Sequence, residues 1–132
     1  MRQVRRRDTT AELIVRRWLW NRGIRFTTHN RDLPGSPDLA NRSKKWGVFV
    51  HGCFWHGHEG CKKATIPKRN TDFWKQKITG NRLRDARKEE ALRQLGYKVI
   101  VIWECDAERL HKCSEGSMRL VSLLPLLPRS EV

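Results

Sequence analysis

Between Gly47 and Cys61 the chain reads GVFVHGCFWHGHEGC, which sets two cysteines, three histidines, a Phe-Trp pair and a glutamate at the end of an apolar run. Thiols and imidazoles at that density hold a metal ion, move protons, or do both. Cys53, His58 and Cys61 fall within nine residues, close enough to converge on one ion. A closed tetrahedral zinc site takes four nitrogen or sulfur ligands, so a fourth must come from elsewhere. Cys105 is the expected donor because it follows an apolar strand and is therefore rigidly placed; Cys113 and His56 are the alternatives. The competing reading is of isolated thiols, with Cys105 a small buried hydrophobe. A zinc deaminase is excluded, since its H-x-E and P-C-x-x-C signatures are absent.

A second constellation suggests phosphodiester hydrolysis, which needs an acidic anchor for Mg²⁺, an activated water and a donor to the leaving oxygen. Pro37-Asp38 precedes a strand, and Phe49, Val50 and His51 end the next one. That is the layout of the PD-(D/E)xK nuclease core with Asp38 as anchor. Phe49 stands at the second acidic position and His51 at the lysine position, so the motif is degenerate. Metal binding would then rest on Asp38, a backbone carbonyl near Val50 and water. Histidine would carry the proton in place of lysine. His51 and His56 are the imidazoles best placed for this, and Glu12 could orient one of them. Each has a plain structural explanation as well: Glu12 as a capping residue, His56 as a loop histidine, Asp38 as a turn cap.

These side chains sit in a strongly basic chain of 132 residues, with 28 Lys and Arg against 14 Asp and Glu and a formal charge of +14. The basic residues lie along the whole length. Such an excess favours a polyanion, because each cation placed on a phosphate releases counterions. The length suits one domain. The opening MRQVRRRD is no signal peptide, and VIVIW and LVSLLPLL are too short to span a bilayer, so a cytosolic protein with reduced thiols is expected.

The elements that must position these groups follow from periodicity and caps. Thr9 and Glu12 form a capping box for a helix over Thr10–Arg22. Ile24–Thr28 alternates as a strand, LPGSP at Leu33–Pro37 is a loop, and strands are predicted at Asp38–Ala40 and Trp46–Val50, the latter central. His51–Cys61 is a glycine-rich loop, and Lys62–Arg69 a basic connection. Asn70 caps a long helix over Thr71–Leu95, with Gly80 a point of bending. Tyr97–Trp103 (YKVIVIW) reads as a strand buried on both faces. A last helix runs from Asp106 to about Leu124, before Pro125. The order predicts a small mixed sheet flanked by helices.

In five segments the chain resembles the very short patch repair (Vsr) mismatch endonucleases: RDTTAE (Arg7–Glu12), LPGSPD (Leu33–Asp38), VFVHGCFWH (Val48–His56), FWKQKITGNRLRD (Phe73–Asp85) and LGYKVIVIWEC (Leu95–Cys105). The resemblance implies one α/β domain over residues 1–132. It would have a restriction-endonuclease-like fold, a short arm at 1–8, a tail at 125–132 and a structural zinc. It implies Mg²⁺-dependent nicking of one strand 5′ to the thymine of a T·G mismatch left by deamination of 5-methylcytosine. Asp38 matches the Mg²⁺-binding aspartate, with the Val50 carbonyl beside it; His51 and His56 match the active-site histidines and Glu12 the supporting glutamate. Cys53, His58, Cys61 and Cys105 match the zinc ligands. Phe54, Trp55 and Trp74 match aromatics that enter the DNA stack, and Asn81 joins them in contacting DNA. Lys62, Lys63, Lys68 and Arg69 are expected on phosphates, although a solvated face explains them nearly as well. The implied setting is a monomer in the bacterial cytoplasm, near the nucleoid, with double-stranded DNA and repair-pathway proteins as partners. The rival functions are a defence nuclease cutting matched DNA and a non-catalytic zinc-bearing DNA-binding module.

Overall fold

The computed structural model describes residues 9–112, apart from the side chains of Lys63, Leu110, His111 and Lys112. The elements are α1 (Thr10–Asn21), β1 (Thr27–Thr28), β2 (Leu39–Asn41), β3 (Trp46–His51), a 3₁₀ turn (Lys62–Ala64), α2 (Thr71–Gln94), β4 (Lys98–Trp103) and α3 (Glu104–Lys112). The expected arm, the tail, Cys113 and the stretch toward Leu124 lie outside the described residues.

The strands form one mixed sheet in the order β1-β2-β3-β4. The first three run as antiparallel neighbours, and β4 lies parallel to β3 with α2 as the crossover. Alternation along the strands divides the core between two faces. Val48, Ile100 and Ile102 pack with Val15, Trp18 and Leu19 of α1 and Ala107 of α3. Ala40 and Phe49 pack on the other face with Leu92 of α2, flanked by Val99 and Val101. Helices thus cover both sides, and β3 is central as its apolar sequence predicts.

Two expectations about strands need correction. Only Thr27–Thr28 of the Ile24–Thr28 segment joins the sheet, because β2 is three residues long and the Arg25 carbonyl is taken by the Asn41 side chain at 3.0 Å. Strand β4 is not fully buried: Ile100 and Ile102 are buried, while Val99, Val101 and Trp103 are half-buried. It pairs with β3 alone among the described residues, so its apolar run reflects helices on both faces and not a central position.

Thr9 Oγ1 accepts the Glu12 N–H at 3.2 Å, which fixes the start of α1. Asn70 precedes α2 but makes no side-chain cap bond; it is left-handed at φ 58°, and its carbonyl accepts from Trp74 N at 3.2 Å. Helix α2 passes through Gly80 unbroken. Among the described residues, no helix is long and apolar enough to cross a membrane.

Candidate active site and metal centre

The C-terminal ends of the parallel pair β3 and β4 carry the chemistry, the usual place for a site in a sheet with parallel strands. His51 and Trp103 are register partners there. Alternation turns His51 to the same face as Phe49, toward α2. A cleft of about 1050 Å³ opens at this end, walled by α1, the loop before β2, the His51–His56 segment and α2.

Asp38 sits at the floor. Its Oδ2 accepts the Val50 N–H at 2.6 Å. In an extended strand the N–H and C=O of one residue leave by the same edge, so the Val50 carbonyl also faces the Asp38 side. Glu12, buried at 3% exposure, brings a second carboxyl within hydrogen-bonding reach of Asp38 and pairs with Arg16 at 3.3 Å. Glu12 is therefore more than a capping residue, since its side chain is built into an acid pair. Burial, and then Glu12, push the Asp38 carboxyl up to about 7, against the pull of the Val50 N–H and Arg16. Two carboxyls in contact, one buried and one half-buried, create a demand for a proton or a cation between them.

His51 and His56 stack face to face, with ring centroids 4.1 Å apart and planes 8° from parallel. Asp85, from α2, meets His56 Nδ1 at 2.5 Å. Burial would raise the Asp85 carboxyl, but the His56 hydrogen bond and the charges of His56, His51 and Lys88 outweigh it and hold the group below the usual range. An ionised carboxylate only accepts, so His56 donates through Nδ1, leaving Nε2 to face a reactant. Two stacked imidazoles cannot both be cationic at little cost. Burial first, then His56, depress His51 to about 4, which leaves it neutral at pH 7 with a lone pair able to accept a proton. The pair can thus take a proton at His51, and His56, its Nδ1–H held by Asp85, offers one from Nε2 only as the imidazolium.

Sequence reasoning did not single out Asp85. It lies in the segment FWKQKITGNRLRD, but α2 shows little amphipathic pattern, and a charged residue there reads as solvated. The spacing of Ile78, Asn81, Asp85 and Leu92 was the signal available, since these residues share one helical face.

Cys53, His58, Cys61 and Cys105 place one ligand atom each within 4.8 Å of one another. Cys105 Sγ lies 3.5 Å from His58 Nδ1. Ligands around a tetrahedral zinc with ~2.3 Å bonds stand ~3.8 Å apart. Cys105 thus completes the set from the start of α3, whereas His56 belongs to the imidazole pair. Burial and the neighbouring Cys105 thiol push Cys53 up to about 12, a setting that a cation would reverse by taking thiolates. Backbone bonds from His58 N to Cys53 O at 2.9 Å and from Ala64 N to Cys61 O at 3.0 Å shape the loop. Gly57, at φ 62°, permits its tightest approach: a Cβ there would lie 2.6 Å from Ile78 Cγ2. His58 also stacks on Trp103 at 4.1 Å, and Trp103 meets His51 at 5.3 Å, so one indole touches both the Cys/His cluster and the imidazole pair.

Phe54, Trp55 and Trp74 form a half-buried aromatic cluster with centroid separations of 5.2, 5.4 and 5.9 Å. Phe73, which the sequence did not single out, joins at 5.1 Å from Trp74 and is 56% exposed. Asn81 Nδ2 donates to the Trp55 carbonyl at 2.8 Å, so it braces the aromatic loop. Lys62, Lys68 and Arg69 are exposed but do not line the cleft. The cations that do line it are Arg16, Arg31, Arg84 and Lys88.

Residues 1–63 match the family described as DNA mismatch endonuclease Vsr. The type II nicking enzyme V.XorIIP of Xanthomonas oryzae pv. oryzae is 48% identical over 110 residues, covering 83% of this chain and 80% of the relative. The type II nicking enzyme V.NmeAIP of Neisseria meningitidis is 43% identical over 121 residues, 92% of this chain and 86% of the relative. The DNA mismatch endonuclease Vsr of Escherichia coli is 35% identical over 118 residues, 89% of this chain and 75% of the relative. With similarity of this extent across most of both chains, the chain belongs to the Vsr family of DNA endonucleases.

Proposed function

We propose that this member nicks one DNA strand 5′ to the thymine of a T·G mismatch, by Mg²⁺-dependent hydrolysis on a restriction-endonuclease-like fold fastened by zinc. The observation that carries this reading is the convergence, in one cleft, of the Glu12–Asp38 acid pair and the His51–His56–Asp85 relay, beside an aromatic cluster on the rim. That the target is a mismatch follows the name of the relative DNA mismatch endonuclease Vsr, and the T·G pair is what the family resemblance implies.

The Asp38 carboxylate and the Val50 carbonyl would hold Mg²⁺, which when bound supplies charge for the phosphorane-like transition state and acidifies water. The hard oxygen donors and the strained acid pair suit such a cation. His51, neutral and buried, takes the proton of the attacking water. His56, held by Asp85 through Nδ1, turns Nε2 to the phosphate or to the leaving 3′ oxygen and, as the imidazolium, would donate there. Glu12 orients the Asp38 side of the site. The S₃N set of Cys53, His58, Cys61 and Cys105 would hold Zn²⁺, a soft site that supplies rigidity to the His51–Cys61 loop.

Phe54, Trp55 and Trp74 would part the base stack at the mismatch. Unstacking costs a few kcal/mol, least where pairing is already weak, so deformability helps select the wobble pair. Lys62, Lys68 and Arg69 would meet flanking phosphates.

The test uses strand-labelled duplexes that carry T·G, T·A or C·G at one position, incubated with Mg²⁺ and either the protein or Asp38→Ala. A single nick beside the T of T·G, abolished in Asp38→Ala while DNA binding and zinc content persist, is the expected result. Equal cutting of all three duplexes would instead assign a nuclease of matched DNA. Binding without cutting would assign a non-catalytic module.

A further inference from the structure

We propose that Lys88 supplies the cation that the end of β3 lacks, its ammonium binding a non-bridging oxygen of the phosphate that enters the cleft beside His51 and Asp85. The inference rests on the nuclease reading and assigns one further residue to it. At the lysine position of the PD-(D/E)xK layout the chain has His51, a buried ring with no permanent charge. A phosphodiester approaching Asp38 and Glu12 is an anion approaching acids, so charge of the opposite sign must come from elsewhere.

Lys88 is placed to provide it. It lies on α2 three residues beyond Asp85 and lines the same cleft. Its stem is fixed by the loop that precedes Asp38: Gly35 sits at φ 76°, and a Cβ there would lie 2.6 Å from Lys88 Cβ and 3.2 Å from Cγ. Only a glycine lets the two segments meet so closely, and their contact fixes the stem of a side chain that lines the cleft. The Lys88 charge is felt by both His51 and Asp85, lowering each.

Several nearby cations already have partners. Arg16 pairs with Glu12, Arg82 with Glu59 and Arg93 with Glu90, and Arg84 donates to Asn81. Lys88 forms no ion pair within 4.0 Å among the described residues. A cation without a carboxylate partner, anchored at its stem in a cleft that also holds acids, fits a phosphate better than a solvated face does.

The test compares the protein with Lys88→Gln and Lys88→Arg on the T·G duplex, measuring single-turnover cleavage and the salt dependence of binding, and repeats both with single methylphosphonates around the nick. For Lys88→Gln the expected results are a 10- to 100-fold slower cleavage and a salt slope smaller by about 0.9, the share of one phosphate. One methylphosphonate position that weakens the unsubstituted protein should leave Lys88→Gln unaffected, and Lys88→Arg should restore most of the rate. An unchanged rate and slope in Lys88→Gln, with the parent protein cutting normally, would overturn the assignment. If the parent binds but does not cut, the nuclease reading fails instead, and the slope and methylphosphonate comparison alone decide Lys88.

Discussion

His56 Nδ1 stands 2.5 Å from Asp85 Oδ2, and the same imidazole lies flat against His51. One carboxylate on a helix thereby fixes the tautomer of His56, while burial and the stacked His56 ring keep a proton off His51. Asp85→Asn keeps the shape but can donate through its amide, which favours the wrong His56 tautomer. We expect single-turnover cleavage to fall by about 10²- to 10⁴-fold, with DNA affinity and metal content unchanged. A rate within twofold of the parent would show that His56 works without Asp85.

The acid pair gives a prediction about pH. In the unfolded chain Asp38 titrates near its ordinary value of 3.8, whereas in the fold it is pushed up to about 7. Between those values the folded protein keeps a proton that the unfolded chain has released. Without Mg²⁺, the Asp38 contribution to stability is therefore full below about pH 4 and lost as pH rises through 7. His51 has the opposite sign: it is depressed from 6.5 to about 4, so its contribution is full above 6.5 and lost as pH falls through 4. At pH 8 in Mg²⁺-free buffer, Asp38→Asn should melt several degrees above the parent, and at pH 4 it should show no such gain. Added Mg²⁺ should raise the melting temperature of the parent only.

Much of this site was legible because its residues cluster in sequence or stand at strand ends. Asp38, His51 and His56 flank two short strands, and Cys53, His58 and Cys61 occupy one loop. Cys105 was reachable because a strand end is a fixed point. Asp85 and Lys88 were not legible, for α2 presents to the loops a face that mixes Ile78 and Leu92 with Asn81 and Asp85, and a helix whose inner face is polar shows no hydrophobic period. That β4 pairs with β3 alone among the described residues was hidden for a related reason. An apolar run reports covered faces and says nothing about hydrogen-bonding neighbours.

The Cys/His cluster, read as a zinc site, predicts a coupling of folding to metal. Cys105 is the ligand most distant in sequence from the rest, so it ties β4 and α3 to the loop. Cys105→Ser should lower zinc content and melting temperature together, because metal affinity at a structural site is folding free energy. Zinc measured by elemental analysis at one equivalent in the variant would remove Cys105 from the ligand set. Chelator treatment of the parent should reproduce the loss of stability, and Asp38→Ala should not.

The aromatic cluster makes the last prediction. Phe54, Trp55 and Trp74 touch one another in edge-to-face contacts while remaining half-buried, and Asn81 holds the Trp55 backbone from α2. Rings that only filled a core would cost stability when truncated and leave mismatch preference intact. Rings that enter the stack would instead lower affinity for DNA, by about 1–3 kcal/mol for each stacking partner lost, or roughly 5- to 150-fold. We expect Trp55→Ala and Trp74→Ala to fall in that range on T·G duplexes, with a smaller loss on T·A, because only the mismatch opens at little cost. The double variant should lose less than the two single losses combined, since the rings act through mutual contact. Asn81→Ala, which frees the loop without removing a ring, should reduce the preference for T·G over T·A while leaving the melting temperature within a few degrees of the parent. Equal losses on both duplexes in all these variants would make the cluster a general DNA contact and move mismatch selection elsewhere in the molecule.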